Sequence, residues 1–124
     1  MLTEEEYSKV TEAITQGKFK EASKRIKPLL EKEPENVGLL LDAGFINANL
    51  EKFDEAIEDY QKVIKLVPSN PAGYTGLGFV YKLIGNDEKR LEMFQEGVKR
   101  SPANAMVHFE VGEAYLDLDK FEEA

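Results

Sequence analysis

The sequence predicts an all-α, right-handed solenoid of about three and a half helix-turn-helix repeats. Two observations fix the period. Pro34, Pro68 and Pro102 are evenly spaced, and Gly44, Gly78 and Gly112 keep the same interval. Aromatic residues share that phase, with Phe19, Phe53 and Phe121 in one series and Tyr60 and Phe94 in another. Series that agree on one phase mark an internal repeat, and a period of this size means stacked supersecondary units. The third observation is local. Apolar residues recur at helical spacing, as in Ala56, Tyr60, Val63 and Ile64, and no segment alternates with period two, so no strand is expected.

The phase divides the chain into repeats at 3–36, 37–70 and 71–104 and a partial fourth at 105–124, all within one domain over 1–124. Thr3-x-x-Glu6 is a capping box that starts a helix over 3–15. Gln16-Gly17-Lys18 supplies a turn, and a helix over 19–33 follows. Pro28 falls inside it and should kink it, because proline lacks the amide hydrogen and its ring meets the preceding turn. Helices over 37–49 and 53–67 form the second repeat. Asn70 can cap a helix over 71–83, with Pro71 in its first position, where a missing N–H costs nothing. Gly85-Asn86-Asp87 leads into a helix over 87–100, and Ser101-Pro102-Ala103-Asn104 into one over 105–117. A last helix is expected to begin at 121.

Composition narrows the function. The 24 acidic and 16 basic side chains leave a formal charge of −8, the wrong sign for neutralising phosphates or docking on anionic lipid, so neither nucleic acid nor membrane is expected as a partner. There is no cysteine and one histidine, so no metal site, cofactor or autonomous enzymatic activity is expected. No apolar run approaches the roughly 18 residues that span a bilayer. The opening Met1-Leu2-Thr3-Glu4-Glu5-Glu6 has no basic or apolar leader segment, and the expected location is cytoplasmic. Two motifs fail on inspection. Gly76-Leu77-Gly78 lacks a third glycine and a preceding strand, and Asp117-Leu118-Asp119 lacks the glycine and third oxygen ligand of a calcium loop.

The repeat resembles the tetratricopeptide (TPR) family. That family's unit has a bulky residue at position 4, a Leu-Gly-like pair at 7 and 8, aromatics at 11 and 24, Ala at 20 and Pro at 32. Repeat two reads Leu40, Ala43-Gly44, Asn47, Ala56, Tyr60 and Pro68. Repeat three reads Tyr74, Leu77-Gly78, Tyr81, Arg90, Phe94 and Pro102. The fourth reads His108, Val111-Gly112, Tyr115 and Ala124, and repeat one is the most divergent. Arg90 stands where Ala is usual and Asp87 replaces an aromatic, so repeat three should pack its helices less tightly. His108 occupies a packing position and should be core or half-buried.

The resemblance implies a protein-interaction scaffold whose first helices line a concave groove. Position 5 holds Tyr7, Leu41, Thr75 and Phe109; position 9 holds Thr11, Phe45, Phe79 and Glu113; position 12 holds Ile14, Ala48, Lys82 and Leu116. Tyr7, Leu41, Phe45, Thr75, Phe79, Lys82 and Phe109 are the candidate contacts for an apolar or amphipathic protein segment. One TPR subclass grips C-terminal carboxylates with cations at fixed positions. Here those positions hold Tyr7, Thr11, Asp42, Ala72 and Gly76, which supply none. The alternatives are a self-associating assembly module, or the interaction region of a longer enzyme or regulator. Helix 105–117 is expected to lack its own second helix, leaving His108, Val111 and Tyr115 to mediate end-to-end contacts.

Overall fold

The computed structural model describes residues 3–123, and among them it contains seven helices and no strand. They are α1 (Glu4–Thr15), α2 (Phe19–Lys32), α3 (Val37–Asn49), α4 (Phe53–Leu66), α5 (Ala72–Ile84), α6 (Asp87–Arg100) and α7 (Ala105–Glu123). The capping box opens α1: the Glu6 amide donates to Thr3 Oγ1 at 3.2 Å and the Thr3 amide to Glu6 Oε2 at 2.9 Å. That bond, with Lys32 opposite, holds the Glu6 carboxyl below its ordinary range.

The turn inside each pair is the same device three times. Gly17, Glu51 and Gly85 take left-handed backbone at φ 72°, 62° and 90°. The residue after each donates back into the helix just ended: Lys18 to the Ala13 carbonyl, Lys52 to Asn47 and Asn86 to Tyr81, at 2.8–3.0 Å. This satisfies carbonyls that a helix end leaves free. Asp119 stands at the matching place in the fourth unit and does not turn. α7 therefore runs on to Glu123 instead of stopping at 117 with a new helix at 121; no glycine or proline falls between 113 and 123. Ala124 lies outside the described residues.

Between pairs, Asn36, Asn70 and Asn104 recur in the same phase as the prolines. Asn36 and Asn104 each accept the amide three residues on, and Asn70 accepts the Ala72 amide at 2.9 Å. α5 thus starts one residue later than expected, with Pro71 as its cap. α2 is continuous through Pro28; Lys24, whose carbonyl that amide would have served, is exposed.

Each helix packs on the next, and α3 also touches α5, so first helices of neighbouring pairs lie side by side. Ala22 and Ala56 are fully buried at matching positions where paired helices meet. Tyr60 is wedged between two helices: a Cβ on Gly44 would lie 2.7 Å from its Cζ, and one on Gly76 2.3 Å from its Cε1. Only glycine admits the ring there. Phe94, with no exposed surface, fills the same role against Gly78. Burying such a side chain is worth roughly 1.5–3 kcal/mol.

Arg90 does not loosen repeat three. Its aliphatic stem is buried, and its guanidinium crosses to α7, where Nη1 donates to Asp117 Oδ2 at 2.7 Å and also to Asp87 at 3.3 Å. α5 and α6 are packed as extensively as α3 and α4. Burial works against the charge, but the bonds to Asp117 and Asp87 outweigh it and leave the guanidinium pKa raised. His108 is exposed rather than in the core, with Nε2 2.6 Å from the Pro102 carbonyl oxygen. The residues of α7 that face α6 are instead Val107, Glu110 and Ala114, all buried.

Candidate functional site

The side-by-side arrangement of α3 and α5 puts their outward residues on one surface. A cavity of about 330 Å³ opens there, lined by Phe45, Ala48, Tyr60, Gly76, Phe79, Val80, Lys82 and Leu83. Its rim is built from side chains that the core leaves out: Phe45 is 46% exposed and Leu83 59%. An apolar side chain normally reaches such exposure only singly, and here several converge on one hollow.

The rings are held by neighbours rather than by each other. Phe45 meets Phe19 edge-on at 5.9 Å between centroids, and Phe79 meets the buried Phe94 edge-on at 5.1 Å. Edge-to-face pairs of this kind contribute about 0.5–1.5 kcal/mol beyond their burial. Phe79 therefore has one edge in the core and the rest toward the cavity. Lys82 Nζ lies 5.9 Å from the Phe79 ring centroid and 3.2 Å from Glu110 Oε2 on α7. Tyr60 forms part of the floor, wedged by its two glycines. Its burial, together with Asp59 and Asp42 nearby, pushes the phenol up to about 12, so it stays neutral at physiological pH.

Of the candidates read from the sequence, Phe45, Phe79 and Lys82 come together here. Leu41 is half-buried against the Tyr60 cluster. Tyr7 lies apart, on an open surface of α1 with Thr11, and its hydroxyl accepts from Asn36 Nδ2 at 2.6 Å. Thr75 turns its Oγ1 to the Ala72 carbonyl, and its methyl would meet a Cβ on Gly97. Phe109, exposed on α7, is outside the cavity. Val111 is half-buried, and Tyr115 is exposed with its hydroxyl accepting from Gln95 Nε2 at 2.8 Å. Sequence reasoning missed Gly76 and Leu83 as parts of the site. Gly76 could have been found as the one glycine at position 6, facing the Tyr60 ring.

Among the described residues no cluster of acidic or imidazole side chains could hold a metal, and no helix is long and apolar enough to cross a membrane.

Paired helices with phased turns and a hollow on the layer of first helices define a helical-repeat solenoid. Residues 48–85 match the family model described as TPR repeat. The first TPR domain of human RPAP3 superposes with a TM-score of 0.86 at 20% identity, covering 96% of this chain and 94% of that one. The first TPR of Spaghetti (RPAP3), bound to the HSP90 peptide SRMEEVD, gives 0.81 at 20% identity over 90% and 89%. MamA gives 0.75 at 22% identity over 91% of this chain, which spans 62% of that protein's length. Likeness at these identities shows the fold. No curated protein matches the sequence.

Proposed function

We propose that this chain is a protein-interaction scaffold that takes an apolar or amphipathic segment of a partner onto the surface shared by α3 and α5. Its units are the repeats at 3–36, 37–70 and 71–104 and the partial one from 105. The observation that carries this is the 330 Å³ hollow whose rim is Phe45, Phe79 and Leu83. Covering exposed rings releases their hydration, and aromatic anchors in a hollow dominate binding energy. The RPAP3 domain of the same fold holds a peptide, which supports a peptide as the occupant. That peptide, SRMEEVD, is acidic near its end, and this surface carries Asp42 and no array of cations, so the ligand differs in charge.

The test is fluorescence anisotropy with a labelled peptide selected on the native chain from a random display library. Phe45→Ala should weaken binding by roughly 1–4 kcal/mol. Leu66→Ala, an exposed apolar site away from the cavity, should leave it unchanged. Binding indifferent to Phe45→Ala removes the proposal.

A second reading is self-association through α7, favoured by Met106, Phe109 and Leu116, each more than half exposed on that helix. Sedimentation at several concentrations decides it: a mass that rises with concentration and becomes monomeric in Leu116→Lys supports it, and a strictly monomeric native chain ends it.

A further inference from the structure

The ligand's charge follows from one row of the repeat. Asp42, Gly76 and Glu110 occupy the same place in successive units, beside the surface described above. Gly76 forms cavity wall. Glu110 is 7% exposed, and two cations satisfy it: Lys82 Nζ at 3.2 Å and Arg90 Nη2 at 3.9 Å. The residues that stand to Asp42 as Lys82 and Arg90 stand to Glu110 are Ile14 and Ala22. Both are apolar. Asp42 is half-buried, and no hydrogen bond or ion pair reaches it from the described residues. Burial alone raises its carboxyl pKa, with no cation nearby to oppose the shift.

A half-buried carboxylate without a counter-charge is an expensive feature, because it has lost water and gained nothing in exchange. It lies one helical turn before Phe45, so the two share the approach to the hollow. At the far side Lys82 is already neutralised by Glu110. The open surface therefore presents an apolar centre with one uncompensated negative charge at its α1 side.

We propose that the partner segment carries a Lys or Arg side chain that pairs with Asp42, next to an apolar side chain seated against Phe45. This rests on the groove reading above. A charge-assisted bond in a partly dry site holds more strongly than one in open water. The chain's net charge of −8 also draws cationic segments toward it.

The experiment pans a display library of short randomised peptides on the native chain, on Asp42→Lys and on Asp42→Asn, with circular dichroism confirming that each variant folds. Peptides from the native chain should be enriched in a basic residue beside apolar ones. They should bind Asp42→Asn about tenfold more weakly, the loss of one hydrogen bond to a charged group. Panning on Asp42→Lys should select an acidic residue at that place. Native-selected peptides without basic enrichment, or equal binding to Asp42→Lys, overturn the charge assignment while leaving the groove standing if Phe45→Ala still weakens binding. Peptides unaffected by Phe45→Ala, or no binding peptide at all, overturn the groove reading and this one with it. A concentration-dependent mass of the native chain that Asp42→Lys abolishes would make a second copy the occupant and also overturn the proposal.

Discussion

Alanine placed at one repeat position should have opposite effects depending on what the glycine there faces. Gly78 and Gly112 hold the same place in adjacent units, each inside a helix. A Cβ on Gly78 would lie 2.7 Å from Cε1 and Cζ of Phe94 and 2.8 Å from its Cδ1. A Cβ on Gly112 meets nothing within 4 Å. Carbon atoms rest at about 3.5–4.0 Å, so the Phe94 ring must move by about 1 Å. It has no exposed surface, and Phe79 closes off one direction at 5.1 Å. Overpacking costs about 1–3 kcal/mol, and an enclosed ring belongs in the upper half of that range. Alanine returns about 1 kcal/mol over glycine in a helix interior. The net loss for Gly78→Ala is about 1–2 kcal/mol, and Gly112→Ala keeps only the gain. In a chain of 124 residues, 1 kcal/mol corresponds to roughly 4 °C, so Tm should fall by about 4–8 °C in the first variant and rise by up to about 4 °C in the second. Thermal melts by circular dichroism read both. Because solenoid ends open semi-independently, Gly112→Ala is also read by slower amide exchange in α7. Gly78→Ala as stable as the native chain would refute the packing argument, and so would a loss for Gly112→Ala.

Arg90→Met keeps most of the volume but removes the charge that ties α6 to Asp117; it should cost about 3 kcal/mol by urea midpoint and speed amide exchange in α7 first. Tyr60 has its phenol raised from 10 to about 12, so its contribution to stability is complete below pH 10 and lost as pH rises through 12. The difference in urea midpoint between the native chain and Tyr60→Phe should therefore shift against the native chain across that window, and a difference independent of pH would contradict the wedge's burial. Asp42 also has a raised folded pKa, so the stability its proton gives is present below its ordinary value of 3.8 and disappears as pH rises through the raised one. Asp42→Asn should consequently raise Tm at pH 7, and the gain should close near pH 3; a lower Tm at pH 7 would show that the carboxylate is satisfied after all.

The regular part of this molecule was legible because it repeats. Evenly spaced proline and glycine series placed the first six helices to within about a turn, and the same register brought Phe45, Phe79 and Lys82 to one surface. The misses share a physical origin in residues whose role depends on a neighbour. Glu51 takes the left-handed turn that glycine takes in the adjacent units, so its identity carried no turn signal. Asp119, at the equivalent place, stays helical. Arg90 looked like a defect against a family pattern, because its partner Asp117 is distant in sequence and lies on another helix. His108 was assigned to a core that its helix builds from Val107 and Ala114. Asp42 became informative only when its row was compared with Glu110 and the distances to Lys82 and Arg90 were known.

Glu51 has a consequence for how the sequence can change. Its φ of 62° is a conformation that costs a side-chain-bearing residue roughly 1–2 kcal/mol and glycine almost nothing. Glutamate and glycine codons differ at a single base, so this strain is one point mutation from relief. Proteins tolerate new surface chemistry only while they stay above a stability threshold. The turn between α3 and α4 is thus a latent reserve: a lineage that acquired Gly there could absorb a costly substitution among the groove residues and keep its fold.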